Sequence, residues 1–114
     1  MKRHFVIYDR WDVAIVPFPF TERSGIKRRP ALVLSARLFN QAGHSVLCMV
    51  TSVSNTPWPG DTTLTDLSSA GLNAPWIVRL KLFTLDNRLM IRKTGAPAEA
   101  DRQAFSENLR LYLL

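Results

Sequence analysis

Short apolar runs, each closed by turn residues, recur along the chain as far as Gly95, and a longer period then takes over. "DVAIVPF" (12–18) is rich in β-branched residues, and its prolines favour a strand end or an edge. "ALVLS" (31–35) is nearly all apolar and belongs in the middle of a sheet. "SVLCMVTSV" (45–53) gives a third strand and "DTTLTDL" (61–67) a polar one at an edge. "WIVRLKLFTL" (76–85) and "RLMIRKTG" (88–95) follow, with "LDN" (85–87) as a tight hairpin connection. Strands this short and this closely spaced, with no long helix between them, predict a mainly β fold. The expected form is a small antiparallel barrel or a strongly coiled sheet.

Two loops interrupt the pattern. "TERSGIKRR" (21–29) is polar throughout with a central glycine, whereas "SNTPWPGD" (54–61) holds a tryptophan between two prolines and should be stiffer. After Gly95, Pro97 suits a first helical position, and Glu99 and Asp101 suit the first turn. Ala98, Asp101, Phe105, Leu109 and Tyr112 keep helical spacing, interrupted in polarity only by Asp101, and Leu113 widens the stripe. This predicts one closing helix packed on the sheet. A second, short helix is expected at 36–41.

A chain of 114 residues, 46% of them apolar or aromatic, can fill one core, so a single domain spanning 1–114 is expected. Fifteen Lys and Arg against nine Asp and Glu leave a net charge of +6. The cations fall into two groups: Arg23, Lys27, Arg28, Arg29 and Arg37, then Arg79, Lys81, Arg88, Arg92 and Lys93. If the groups meet, they form a patch able to neutralise several phosphates; if not, they are two solvated faces. The single cysteine, Cys48, reads as a small buried hydrophobe suited to a reducing compartment. The charged start lacks a signal-peptide apolar region, and no apolar run approaches the roughly 20 residues that cross a bilayer. The expectation is a soluble, cytoplasmic protein with no membrane partner.

Several chemistries are disfavoured. One cysteine and two histidines fall short of a zinc site, no glycine-rich phosphate loop follows a strand, and the carboxylates are scattered. His4 and His44 could pair as acid and base on a phosphodiester, but a tail and the turn "QAGHS" suit solvent-exposed bystanders. What remains is cations and hydroxyls. Arg29 precedes Pro30, which biases it towards extended backbone where a guanidinium can grip a phosphate. Thr51 and Ser52 close the third strand, either as β-formers or as hydroxyl ligands for the same phosphate. Trp76 borders a buried run and suits packing, while Trp58 could either pack or stack on a base.

"WDVAIVPFPFTERSGIKRRPALVLS", "CMVTSVSN", "VRLKLFTLDNRLMIRKTG" and "FSENLRLYL" together resemble the MazF/PemK family of bacterial toxins, the closing segments its PemK-like branch. The resemblance implies a homodimer with an SH3-like barrel of the CcdB/MazF type and a C-terminal helix. It implies a type II toxin that cuts single-stranded RNA at short motifs, without metal or other cofactor. The 2′-hydroxyl would attack its own phosphorus, leaving a cyclic phosphate, and translation and growth would stop. The family's arginine before proline falls on Arg29 and its threonine after the third strand on Thr51. By resemblance these are the catalytic residues, Arg29 stabilising the phosphorane and Thr51 orienting the scissile phosphate. The expected RNA contacts around them are Lys27, Arg28, Ser52, Asn55, Arg79 and Lys81. Arg79 matches an arginine that some PemK-type members carry, with Lys81 where those members have an aspartate. The general base is unassigned, Glu22 being a candidate. Expected partners are single-stranded RNA, an acidic antitoxin and, as a toxin–antitoxin complex, operator DNA. The alternative is a non-enzymatic binder with this fold, a CcdB-like gyrase poison or a DNA- and antitoxin-binding regulator. Against the gyrase option, the apolar "RLYLL" end suits dimer or core packing.

Overall fold

A computed structural model describes residues 6–18 and 27–114. Six strands, β1 (Val13–Phe18), β2 (Lys27–Val33), β3 (His44–Ser52), β4 (Thr62–Thr63), β5 (Trp76–Asp86) and β6 (Arg92–Gly95), form one sheet. Its order is β4-β5-β3-β2-β1-β6, with every neighbouring pair antiparallel. Helix α1 (Arg37–Asn40) links β2 to β3, a 3-10 turn (Asn87–Leu89) follows β5, and helix α2 (Glu99–Leu113) closes the chain.

The near-continuous apolar runs arise because the sheet buries side chains on both faces. On one face Val13, Leu32, Cys48, Val50, Val78 and Leu80 pack with Phe105 of α2. On the other, Ala14, Val16, Phe18, Ala31, Val33, Leu47 and Leu85 form a second cluster with Tyr8. β2 and β3 therefore alternate between two apolar environments. The sheet curls into a half-barrel whose edges are joined by the segment after β4. There the Ala96 amide donates to Ser69 O at 3.0 Å and Thr94 Oγ1 donates to Ala70 O at 2.8 Å. Gly71, at φ +71, permits this closure: a Cβ at that position would lie 1.9 Å from Thr94 O.

Four expectations need correction. "LDN" turns the chain but makes no hairpin, since β5 lies between β4 and β3 while β6 pairs with β1. The strand at 61–67 shrinks to Thr62–Thr63, because the amides of Thr65 and Asp66 are diverted to the carboxylate of Asp101. α2 begins at Glu99 behind an Ala98 cap, so Pro97 stands just outside it. Tyr112 and Leu113 are exposed, so the packed stripe ends at half-buried Leu109 and the apolar "RLYLL" end is not core.

Asp101 is the polar break in the helical stripe, and its burial explains the break. Its carboxylate is 2% exposed and accepts from Thr65 N at 3.0 Å, Thr65 Oγ1 at 2.7 Å and Asp66 N at 3.0 Å. Replacing it with alanine removes three hydrogen bonds to a charged acceptor, each worth roughly 1.5–3 kcal/mol at most. Asp101→Ala should therefore lower the melting temperature by about 10 °C in a calorimetric scan. A shift under about 2 °C would show that the carboxylate does not pin the helix to the loop.

Candidate active site

β2 and β3 part at a proline. Their ladder runs Val33↔Leu47, Leu32↔Cys48 and Ala31↔Met49, and stops there. Val33 N donates to Asp12 O on the β1 side, and Leu34 N to Val46 O on the β3 side, at 2.8 Å each. Counting back in alternation, positions 32 and then 30 would donate to β3. Pro30 has no N–H to give. Below it, β2 continues with β1 alone, through Pro30↔Ile15, Arg29↔Val16, Arg28↔Pro17 and Lys27↔Phe18. β3 continues with β5 alone, through Val50↔Val78, Thr51↔Ile77 and Ser52↔Trp76.

The pleat decides what faces the gap. Arg29 shares the face of Ala31, and Thr51 that of Met49. Arg29 and Thr51, each two steps beyond the pair Ala31↔Met49, therefore lie on the same face where the strands part. Arg29 is half-buried, and its Nε is buried with no hydrogen-bond partner among the described residues. Thr51 is fully buried, and its Oγ1 accepts from Asn55 Nδ2 at 2.5 Å. A cationic donor lacking an acceptor, on the same face as a fixed hydroxyl, is suited to an oxyanion such as phosphate.

The remaining expected contacts divide. Lys27 shares Arg29's face and is exposed, and Arg28, also exposed, alternates to the other face. β2 thus starts at Lys27, inside what the sequence suggests is a loop. Ser52 turns away from Thr51 and meets Ser54 Oγ at 2.9 Å. Arg79 lies opposite Met49, on the site's face, but its guanidinium is committed elsewhere. Nε and Nη2 grip Asp61 at 3.1 and 2.9 Å, and Nη2 also donates to Thr56 O at 2.8 Å. Lys81 is exposed, and its Nζ stands 5.7 Å from the centre of the Trp58 ring, which Arg79 also approaches at 5.6 Å. Nothing in the local pattern marks Asp61 as Arg79's partner, although it is the only carboxylate in "SNTPWPGD".

The second basic group is largely neutralised in place. Arg79 pairs with Asp61, Arg88 with Asp86 at 2.7 Å, and Lys93 with Asp12 at 3.0 Å. The Arg88 hydrogen bonds hold the Asp86 carboxyl down at about 2. Lys27, Arg28, Arg29, Lys81 and Arg92 have no ion-pair partner among the described residues. Burial pushes the Cys48 thiol up to about 12, so it is packing and not a nucleophile at neutral pH. His44 is exposed opposite Asp86 across β3 and β5, whereas His4, Arg23 and Glu22 lie outside the described residues.

The model of the PemK-like, MazF-like toxins of type II toxin–antitoxin systems matches residues 9–113. The chain belongs to that toxin family. Its fold is shared with solved structures. MazF from Deinococcus radiodurans superposes with a TM-score of 0.73, at 23% identity over 95% of this chain and 97% of that one. A MazE–MazF structure from the same organism gives 0.69 at 25% identity, covering 93% and 96%. An endoribonuclease with its cognate antitoxin, from a mycobacterial species, gives 0.74 at 16% identity, covering 93% and 94%. No curated protein matches the sequence.

In this MazF-like toxin, two cations of "VRLKL" that look alike in sequence have different tasks. Removing Arg79 strands a mostly buried Asp61 carboxylate, a loss of about 3 kcal/mol. Lys81→Ala should stay within about 0.5 kcal/mol of wild type. Urea unfolding of the two variants measures this, and equal midpoints would contradict the assignment.

Proposed function

We propose that this toxin is a metal-independent endoribonuclease that cleaves single-stranded RNA at short sequence motifs and so arrests translation and growth. The observation that carries the reading is the unpartnered, buried Nε of Arg29 on the same face as Thr51. In the reaction the 2′-hydroxyl oxygen attacks the adjacent phosphorus, and the bond to the 5′-oxygen breaks. The products are a 2′,3′-cyclic phosphate and a 5′-hydroxyl, the departing oxygen taking its proton from water. The Arg29 guanidinium neutralises charge building on the phosphorane, and the Thr51 hydroxyl donates to a non-bridging oxygen. An arginine does not give up its proton at neutral pH, so Arg29 works electrostatically. Glu22 is the candidate base for the 2′-hydroxyl proton.

Lys27, Arg28 and Lys81, exposed and unpaired among the described residues, support backbone contacts to the RNA on either side. The same cations suit an acidic antitoxin segment that covers the groove and folds on binding, with operator DNA held by the toxin–antitoxin complex. The MazE–MazF relatives support the antitoxin partner. A homodimer belongs to the same reading, since the exposed apolar residues Leu111 to Leu114 offer surface to a second copy. That exposure also favours one rival: a gyrase poison acting through its last residues would need them accessible.

Purified protein incubated with a long single-stranded RNA in EDTA separates the readings. Wild type should give discrete fragments with cyclic-phosphate ends. Arg29→Ala should cut at least about 100-fold more slowly, and Thr51→Ala about 10- to 100-fold more slowly, with folding unchanged. Intact RNA from a folded wild type, or an active Arg29→Ala, would overturn the proposal.

A further inference from the structure

A threonine hydroxyl carries one hydrogen and two lone pairs, and a free one rotates to whichever neighbour suits it. Left alone at a strand end, it can turn its hydrogen towards its own backbone. Thr51 is not left alone. Its Oγ1 is held as an acceptor by Asn55 Nδ2 at 2.5 Å, inside a site where Thr51 itself is fully buried. With one lone pair so engaged, the hydroxyl hydrogen is directed away from Asn55.

We propose that Asn55 is a positioning residue: it fixes Thr51 Oγ1 as an acceptor and so aims the hydroxyl hydrogen at the scissile phosphate beside Arg29. The inference rests on the ribonuclease reading above and assigns Asn55 a task other than direct RNA contact. The loop is built to hold Asn55 still. Asn55 N donates to Ser52 O at 3.1 Å, closing the turn after β3. The carbonyl of the next residue, Thr56, is held by Arg79 Nη2 at 2.8 Å. Asp61, gripped by the same guanidinium, accepts from Trp58 N at 3.0 Å. Arg79 thus reaches the site's face from β5 with its guanidinium on Asp61, and it braces the Thr56–Pro57 peptide one residue past Asn55. A small error in the direction of a hydrogen-bond donor weakens transition-state stabilisation far more than it weakens binding.

A double-mutant cycle tests this, using a short fluorescent single-stranded RNA that spans a cleavage site mapped on a longer transcript. Asn55 is exposed, so Asn55→Ala should fold and melt as wild type does. It should lower kcat about 10-fold or more while KM stays within about twofold. In a Thr51→Ala background the same substitution should change nothing, because the hydroxyl it aims is gone. A direct RNA contact predicts the opposite pattern: a raised KM, and the same loss in both backgrounds. That pattern, from a wild type that cleaves, would overturn the role of Asn55 and leave the ribonuclease reading standing. A folded wild type that leaves the RNA intact would overturn both.

Discussion

One absent N–H organises this molecule. Pro30 sits where β2 would next donate to β3, and the ladder ends at Ala31↔Met49. Above that point the two strands are ordinary neighbours in a doubly buried sheet. Below it each runs on with a different partner, β2 with β1 and β3 with β5. Arg29 and Thr51 lie on one face of the sheet where the two strands separate, so polar groups stand at the end of an apolar ladder. A residue able to donate at position 30 could extend the ladder to β3. Pro30 also keeps Arg29 extended, so one residue sets both the opening and the direction of the cation beside it.

Charge is distributed to match. The cations of β5, the 3-10 turn and β6 are mostly satisfied by aspartates, and their work is structural. The cations that open β2 are exposed or unpaired among the described residues, and Arg29 alone there carries a buried unsatisfied donor. A buried donor without an acceptor destabilises the folded chain, and an oxyanion bound there relieves that cost. The Arg79–Asp61 pair then ties β5 to the 54–61 loop, and Asn55 ties that loop to Thr51.

Much of this was legible beforehand because it depends on local pattern. The β-branched runs around Ile15, Leu32 and Val50 mark strands whichever neighbours they have, and Phe105 with Leu109 marks the packed side of α2. Arg29 and Thr51 could be named from the segments that resemble the toxin family. What local pattern lacks is adjacency. "LDN" looks like a hairpin turn, yet the sheet sends β6 to the far side of β1, a choice made by curling and closure through Gly71 and Thr94. Arg79 reads as a free cation until Asp61, eighteen residues away, is brought against it. Asp101 reads as a flaw in an apolar stripe until the amides of Thr65 and Asp66 reach it.

The central claim is that Arg29 Nε–H is the donor waiting for a phosphate, and the arginine side-chain 15N–1H signal reports on it directly. The titrant is a single-stranded RNA carrying a 2′-deoxy sugar at a mapped cleavage site, which removes the attacking hydroxyl and leaves the phosphate in place. On saturation the Arg29 Nε–H resonance should move downfield by more than any other arginine Nε–H, as a charge-assisted hydrogen bond forms. An Arg29 signal that stays put while backbone signals around Thr51 and Asn55 shift would mean the RNA binds without using the guanidinium. The account of the site would then be wrong.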